Sequence, residues 1–83
     1  MKSPKEYNSP RYRVTMKNQV TINGEVRDLA AGTTLLDLVR ELRLEPERVA
    51  VEMDRAIVKR DLWTNIVVDS GAQIEIVQFV GGG

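Results

Sequence analysis

The residues with the clearest chemical potential stand at the end of the sequence, which runs "QIEIVQFVGGG" to Gly83. Glycine has no Cβ, so a segment made of Gly81, Gly82 and Gly83 is thin enough to enter a narrow channel in another protein. Such a segment would deliver a terminal carboxylate to a distant reactive centre. If a partner adenylated Gly83, the activated carbonyl would be open to attack by a thiol, an amine or a sulfide. A frayed end without function is the alternative interpretation.

The sequence contains no cysteine and no histidine. Their absence excludes disulfides, zinc sites of the usual kind, thiol nucleophiles and the commonest general base. Nothing in the sequence resembles a nucleophile elbow or a catalytic triad. We therefore predict a protein that is not itself an enzyme, that binds no metal or cofactor, and that is acted on by partner enzymes.

The length of 83 residues, with 42% hydrophobic and 29% charged residues, is typical of a single globular domain. No run approaches the roughly 20 apolar residues of a membrane span, and the amino terminus lacks the apolar block of a signal peptide. We expect a cytoplasmic protein that has no membrane partner and is a monomer when free.

The formal net charge of zero hides an uneven distribution. Residues 1–15 carry four basic side chains and one acidic side chain, a net charge of +3, whereas residues 16–83 carry eight basic and eleven acidic ones, a net charge of −3. The charged residues of the first segment are Lys2, Lys5, Glu6, Arg11 and Arg13. A domain that binds nucleic acid would be expected to have a basic face, so the acidic body indicates no nucleic-acid partner.

Residues 1–15 are predicted to form a disordered basic extension, because they contain two of the three prolines and no apolar periodicity. The alternative is an arm that attracts an acidic partner, with Tyr7 and Tyr12 available to stack on bases. The patterned domain is expected to comprise residues 16–83 with its glycine tail. Met16 opens this domain and is a candidate for the true first residue.

The first part of the domain has the pattern of a hairpin. Val20 and Ile22 alternate with polar residues, which indicates a half-buried strand. Asn23 and Gly24 follow, and this dipeptide best tolerates the two positive φ values of a type I′ turn. The segment "EVRDL" then forms the returning strand, although its apolar residues alternate less evenly.

A helix is predicted after the "AAGTT" segment. Thr34 and Asp37 have the spacing of a capping box, with Asp in place of the usual Glu. The apolar stripe that would face the sheet is formed by Leu35, Leu38, Val39 and Leu42. Pro46 prevents the helix from continuing far past Leu44, since proline lacks the N–H that helical pairing needs.

The remaining pattern predicts three more strands. Val49, Val51 and Met53 alternate in a strand that we expect at the centre of the sheet, and a tight turn leads to a short strand from Ala56 to Val58. A helical turn or loop follows, in which Trp63 and Ile66 close the end of the core. Ile74 and Ile76 alternate in the last strand. This order predicts an α+β fold of the β-grasp (ubiquitin-like) type, a mixed sheet of about five strands with one helix on one face and the final strand beside the first.

The segment from residue 20 to residue 83 resembles the sulfur carrier proteins of thiamine thiazole biosynthesis, a ThiS-like, ubiquitin-like family. The resemblance lies in "INGE" at 22–25, "VAVEMDRAIVKRDLW" at 49–63 and "IEIVQFVGGG" at 74–83. Relatives often have Pro-Arg where this chain has Lys59 and Arg60, and Asp-Gly-Asp in the loop at 69–72. These departures affect loops that could contact a partner and leave the tail intact.

The resemblance implies a function carried out with partners. An E1-like enzyme would adenylate Gly83 with ATP, which the enzyme consumes and the carrier does not bind. A cysteine desulfurase system would then supply persulfide sulfur to form a terminal thiocarboxylate, and thiazole synthase would take the sulfur from Gly83. Gly82 would be the other member of the functional pair, and Gly81 would lengthen the same tail.

A carrier must dock before its tail enters an active site, so an exposed apolar patch is expected near the last strand. If Ile74 and Ile76 face the helix, Val77 and Phe79 lie on the open face of the sheet. With Val80 they are the candidate partner-binding residues. The alternative is that Phe79 caps the edge of the core.

Related functions stay open at this point. The small subunit of molybdopterin synthase resembles this protein in fold and ending, and a ubiquitin-like modifier joined to lysines would use the same activation. An interaction domain with an inert tail is the third alternative.

Overall fold

The computed structural model describes residues 16–80, and the predicted extension at residues 1–15 and the glycines at 81–83 lie outside the described part. Five strands and one α-helix, with two short 3₁₀ helices, make up the fold. In chain order the elements are β1 (Lys17–Ile22), β2 (Glu25–Ala30), α1 (Leu35–Glu41), a first 3₁₀ helix (Pro46–Arg48), β3 (Val49–Met53), β4 (Ala56–Val58), a second 3₁₀ helix (Arg60–Asn65) and β5 (Gln73–Gln78).

The strands form one mixed sheet in the order β2-β1-β5-β3-β4. β5 pairs in parallel with β1 and antiparallel with β3, so the last strand lies beside the first, as the β-grasp prediction requires. The expectation that β3 lies at the centre is wrong, because β5 inserts between β1 and β3 and takes the central place. β3 lies one position further out, with its outer edge covered by the three residues of β4.

The first hairpin forms as predicted. Val20 and Ile22 of β1 are buried, and Asn23 and Gly24 have φ values of +49° and +83°, which are the two positive values of a type I′ turn. In β2 only Leu29 is buried, because β2 is an edge strand whose other side chains lie beyond the helix or on the open face.

Helix α1 begins with the predicted capping box. The Thr34 hydroxyl accepts a hydrogen bond from the Asp37 backbone N–H at 3.1 Å, and the Asp37 carboxylate accepts one from the Thr34 backbone N–H at 3.2 Å. The buried face consists of Leu35, Leu38 and Val39. The burial of this stripe against the sheet holds in place a helix of seven residues, which is too short to be stable alone.

The helix ends at Glu41, before the limit that Pro46 sets. Arg43 adopts a left-handed conformation with φ of +61°, and its N–H donates to the Arg40 carbonyl at 2.9 Å while the Leu44 N–H donates to the Val39 carbonyl at 3.1 Å. These bonds form a Schellman motif, in which glycine is usual at the left-handed position. Arg43 therefore ends the helix at some cost in backbone strain.

The core lies between α1 and one face of the sheet, and Trp63 closes one end of it as predicted. The Trp63 indole is buried and its Nε1–H donates to the Val58 carbonyl at 2.9 Å, which satisfies the one polar atom of the side chain. Ile66 packs against the core while staying partly exposed. The buried hydrophobic residues are Val20, Ile22, Leu29, Leu35, Leu38, Val39, Val49, Val51, Trp63, Val68, Ala72, Ile74 and Ile76.

Candidate functional site

The carboxyl-terminal segment leaves the sheet from its central strand. Ile74 and Ile76 of β5 are buried against the core, as predicted. After β5, the Phe79 N–H donates to the Arg48 carbonyl at 2.7 Å, which holds the backbone at that residue. From Phe79 to Gly83 an extended chain spans roughly 13 Å. The described chain therefore stays attached to the sheet as far as Phe79.

The three residues predicted to bind a partner are all exposed. Val77 is 59%, Phe79 is 56% and Val80 is 91% exposed. Val77 lies across from Ala50 of β3 on the face of the sheet that carries no helix. The alternative that Phe79 caps the core is not what the structure shows, since more than half of the residue is open to solvent.

Two further exposed apolar residues lie on the helix-free side of the sheet, and neither was predicted. Ile57 of β4 is 80% exposed and Val26 of β2 is 65% exposed, and they lie on the two opposite edge strands. Ile57 lines the same groove as Phe79, and we call the surface formed by Ile57, Val77 and Phe79 the docking face. The alternation of Val26 with polar neighbours was a signal for its exposure, whereas Ile57 lies between Ala56 and Val58 and gives no such signal.

An acidic pair divides the docking face. Glu75 of β5 lies directly opposite Glu52 of β3, and Ile57 lies on the other side of Glu52. Like charges directly opposite each other destabilise a sheet. A cationic side chain placed between the two carboxylates would relieve this repulsion, so the face suits a partner surface that is apolar with a basic group.

A groove of about 210 Å³ runs beside Phe79, with Val49, Ile57 and Arg60 among its lining residues. Arg60 is held in place there, because its Nε–H donates to the Pro46 carbonyl at 2.9 Å and its guanidinium lies 5.8 Å from the centre of the Trp63 ring. Trp63 supports the groove from inside the core. Its role is structural, as the sequence indicated.

The described residues supply no centre of their own for metal chemistry. Between residues 16 and 80 no three carboxylates lie close enough together to hold a metal ion. In the same part of the chain, no helix has the length and apolar character needed to cross a membrane.

The sheet order, the single helix and the exposed terminal segment define a protein of the ubiquitin-like β-grasp class. A solved relative supports this assignment: the crystal structure of a thiamine biosynthesis protein (ThiS) from Geobacter metallireducens superposes with a TM-score of 0.65 at 25% identity. The superposition covers 78% of this chain and 99% of the relative. The predicted fold is thus confirmed.

The model of the ThiS family matches residues 20–83, and the chain belongs to this family. The sulfur carrier protein ThiS of Escherichia coli is 31% identical over 65 residues, which are 78% of this chain and 98% of that protein. A thiazole synthase of Magnetococcus marinus is 43% identical over 65 residues, again 78% of this chain. The chain spans only 20% of the length of that thiazole synthase.

Proposed function

We propose that this protein carries sulfur for thiamine biosynthesis on the carboxyl group of Gly83. The observation that carries the proposal is the attachment of the terminal segment to the central strand, beside an exposed apolar face. Family membership and the match to nearly the whole length of the E. coli sulfur carrier support it. The glycines at 81–83 would form the narrow segment without side chains that such a carrier needs.

The chemistry belongs to partner enzymes. An E1-like enzyme joins the Gly83 carboxylate to the α-phosphate of ATP, with loss of pyrophosphate. The terminal sulfur of a cysteine persulfide, supplied by a cysteine desulfurase system, then attacks the carbonyl and displaces AMP. A second thiol cleaves the resulting acyl disulfide, so that Gly83 keeps one sulfur as a thiocarboxylate and the two thiols end as a disulfide. We propose that these steps take place in the cytoplasm, where ATP is available.

Val77, Phe79 and Val80 are proposed to bind the activating enzyme, together with Ile57. The first three lie within six residues of Gly83 in the sequence, so a partner that covers them is close enough to receive the tail. The exposed fractions of these side chains leave apolar area for a partner to bury. The carrier itself needs no bound cofactor for this role, because ATP is held by the enzyme.

Thiazole synthase is the proposed acceptor of the sulfur. The support is the thiazole synthase of Magnetococcus marinus, which contains a segment 43% identical to this chain within a protein five times as long as the match. Two functions joined in one polypeptide commonly work on the same intermediate. We infer that this chain brings its sulfur to a thiazole synthase.

The test uses the fact that the sequence has no cysteine. The protein is incubated with ATP, the activating enzyme of the same organism and a persulfide donor, and its intact mass is measured before and after treatment with a thiol-alkylating reagent. We expect the mass to show one sulfur in place of one oxygen, followed by a single alkylation. With no thiol in the chain, the thiocarboxylate is the only group that should react rapidly.

The matched control is a variant without Gly82 and Gly83, which keeps the docking face and should show neither change. Failure of the full-length protein to gain sulfur with an enzyme that is active on its own carrier would refute the proposal. Adducts on lysines of other proteins would instead indicate a modifier. Transfer of the sulfur to a pterin, and not to a thiazole, would indicate molybdopterin synthesis.

A further inference from the structure

Two turn residues hold the central strand at its two ends through their side chains. At the start of β5, the Asp54 N–H donates to the Gln73 carbonyl at 2.8 Å, and the Asp54 carboxylate accepts from the Gln73 N–H at 2.9 Å. At the other end, the Asn23 side chain accepts from the Ile76 N–H at 2.7 Å and donates to the Ile76 carbonyl at 3.2 Å. The Asn23 contact joins residues 53 positions apart in the sequence.

The Asn23 side chain makes the hydrogen bonds to β5 that the backbone of β1 would make if the strand continued past the turn. Thr21 and Asn23 donate their N–H groups to the carbonyls of Ala72 and Ile74, at 3.0 and 2.8 Å, in the parallel ladder between β1 and β5. The next step of the ladder would require the chain of β1 to continue, but Asn23 turns away with φ of +49°. Its amide oxygen and nitrogen take over as acceptor and donor, as the carbonyl and N–H of a peptide group would.

This contact lies at the end of β5 from which the tail leaves. Within the described part of the chain, Ile76 is the last residue of β5 that the first hairpin holds, and the later contact of Phe79 is with Arg48 on the other side. We propose that Asn23 is a positioning residue for the tail: it holds β5 from both neighbours as far as Ile76, and so limits the length of strand that β3 alone holds before the tail leaves.

Without the Asn23 side chain, Ile76 should lose its hydrogen bonds on the edge of β5 that faces β1. Ile74 would then be the last residue of β5 that is held on that side. The backbone from Glu75 to Phe79 would then be held only from β3, as Val77 and Phe79 already are in the wild type, so the part of the strand with one free edge would begin two residues earlier. A poorly oriented tail still docks, because the side chains of the docking face are unchanged, but its carboxylate reaches the reactive geometry less often. This kinetic consequence depends on the proposed function, whereas the holding of β5 does not.

The test compares Asn23→Gly with Asp54→Gly. Both variants remove a polar side chain from a turn residue with positive φ, where glycine is favoured, and both remove a contact to β5. They differ in which end of the strand is released. Asn23→Asp is a third variant: it keeps an acceptor for the Ile76 N–H, but its second carboxylate oxygen would face the Ile76 carbonyl oxygen and repel it, so this variant should not restore the wild-type exchange rate of Ile76.

The first measurement is amide hydrogen exchange of the free protein, followed by NMR. Asn23→Gly should raise the exchange rate of Ile76 by about tenfold and increase the motion of residues 77–80, because one net hydrogen bond is worth about that factor. Asp54→Gly should instead raise exchange at Gln73 and leave residues 77–80 as in wild type. An unchanged Ile76 rate in Asn23→Gly would overturn the inference.

The second measurement is ATP–pyrophosphate exchange with the activating enzyme. We expect Asn23→Gly to lower kcat by roughly tenfold with KM within about twofold of wild type, and Asp54→Gly to change neither. Equal losses in both variants would mean that Asn23 only stabilises the fold, and would overturn the positioning role. If wild type itself shows no exchange, the proposed function fails, and the NMR result decides separately whether Asn23 holds the strand.

Discussion

Replacement of Phe79 by alanine gives the most direct test of the docking face. Phe79 is 56% exposed, and an aromatic side chain has roughly 200 Å² that can be buried, so docking can cover about 110 Å². At about 25 cal/mol per Å², this area contributes at most about 3 kcal/mol to binding. Because association never recovers the full area term, we expect Phe79→Ala to weaken binding between tenfold and a hundredfold.

The same substitution should have a smaller effect on folding than a core substitution. About 90 Å² of Phe79 is covered in the folded protein, which at the same coefficient is at most about 2 kcal/mol, so we expect the free energy of unfolding to fall by about 1–2 kcal/mol. Ile76 provides the matched control, because it is buried on the opposite face of the same segment. Ile76→Ala should lower the free energy of unfolding by about 2–4 kcal/mol through the cavity that it leaves.

Two measurements on each variant separate these effects: calorimetric titration with the activating enzyme gives Kd, and urea unfolding gives stability. The expected pattern is a large change in Kd for Phe79→Ala and a large change in stability for Ile76→Ala. A Kd within about twofold of wild type for Phe79→Ala would refute our assignment of the docking face, since it would mean that the exposed ring stays exposed in the complex.

Three further substitutions have defined expectations. Arg43→Gly should stabilise the protein by about 0.5–1 kcal/mol, because glycine relieves the left-handed strain, and thermal unfolding should show Tm higher by about 3–5 °C. Glu75→Gln should raise stability by a few tenths of a kcal/mol by removing the repulsion from Glu52, and in stopped-flow experiments should slow association with a basic partner. Thr34→Ala should lower stability by about 1 kcal/mol through loss of the helix cap, as measured by urea unfolding, and should leave sulfur loading unchanged. A loading defect at constant stability would contradict the expectation that the helix cap does not affect the tail.

The sequence was sufficient to predict the elements whose signals are local. The alternation around Val20 and Ile22, the Asn23-Gly24 turn and the Thr34 capping box each depend on neighbours within a few residues, and the structure contains all three. The end of α1 was predicted less well because the residue in the left-handed position is arginine. A glycine at position 43 would have indicated the Schellman motif directly.

Features that depend on distant residues could not be predicted in this way. The alternation of β3 shows that one face is buried and gives no information about its neighbours, so its place in the sheet was predicted incorrectly. The turn chemistry of Asn23 was recognised, but its bonds to Ile76 were not, since the two residues are brought together only by the parallel pairing of β1 and β5.

The candidate site likewise has some features that local sequence signals predicted and others that they did not. The exposure of Val77 and Phe79 followed from the alternation of β5 once Ile74 and Ile76 were assigned to the core, and the structure confirms this geometry. Ile57 was missed because a strand of three residues is too short to show which side chain is buried. The partner-binding role of these residues and the chemistry at Gly83 stay predictions for the experiments above.

The central position of β5 also determines how the protein responds to mechanical force. A partner that draws the tail into its active site pulls along the axis of β5, and the hydrogen bonds to β1 and β3 lie across that axis. Such a pull loads the bonds on both sides of the strand together, in shear, whereas a pull across the strands would open them one after another. The tail can therefore be held under tension while the domain that supports it stays folded.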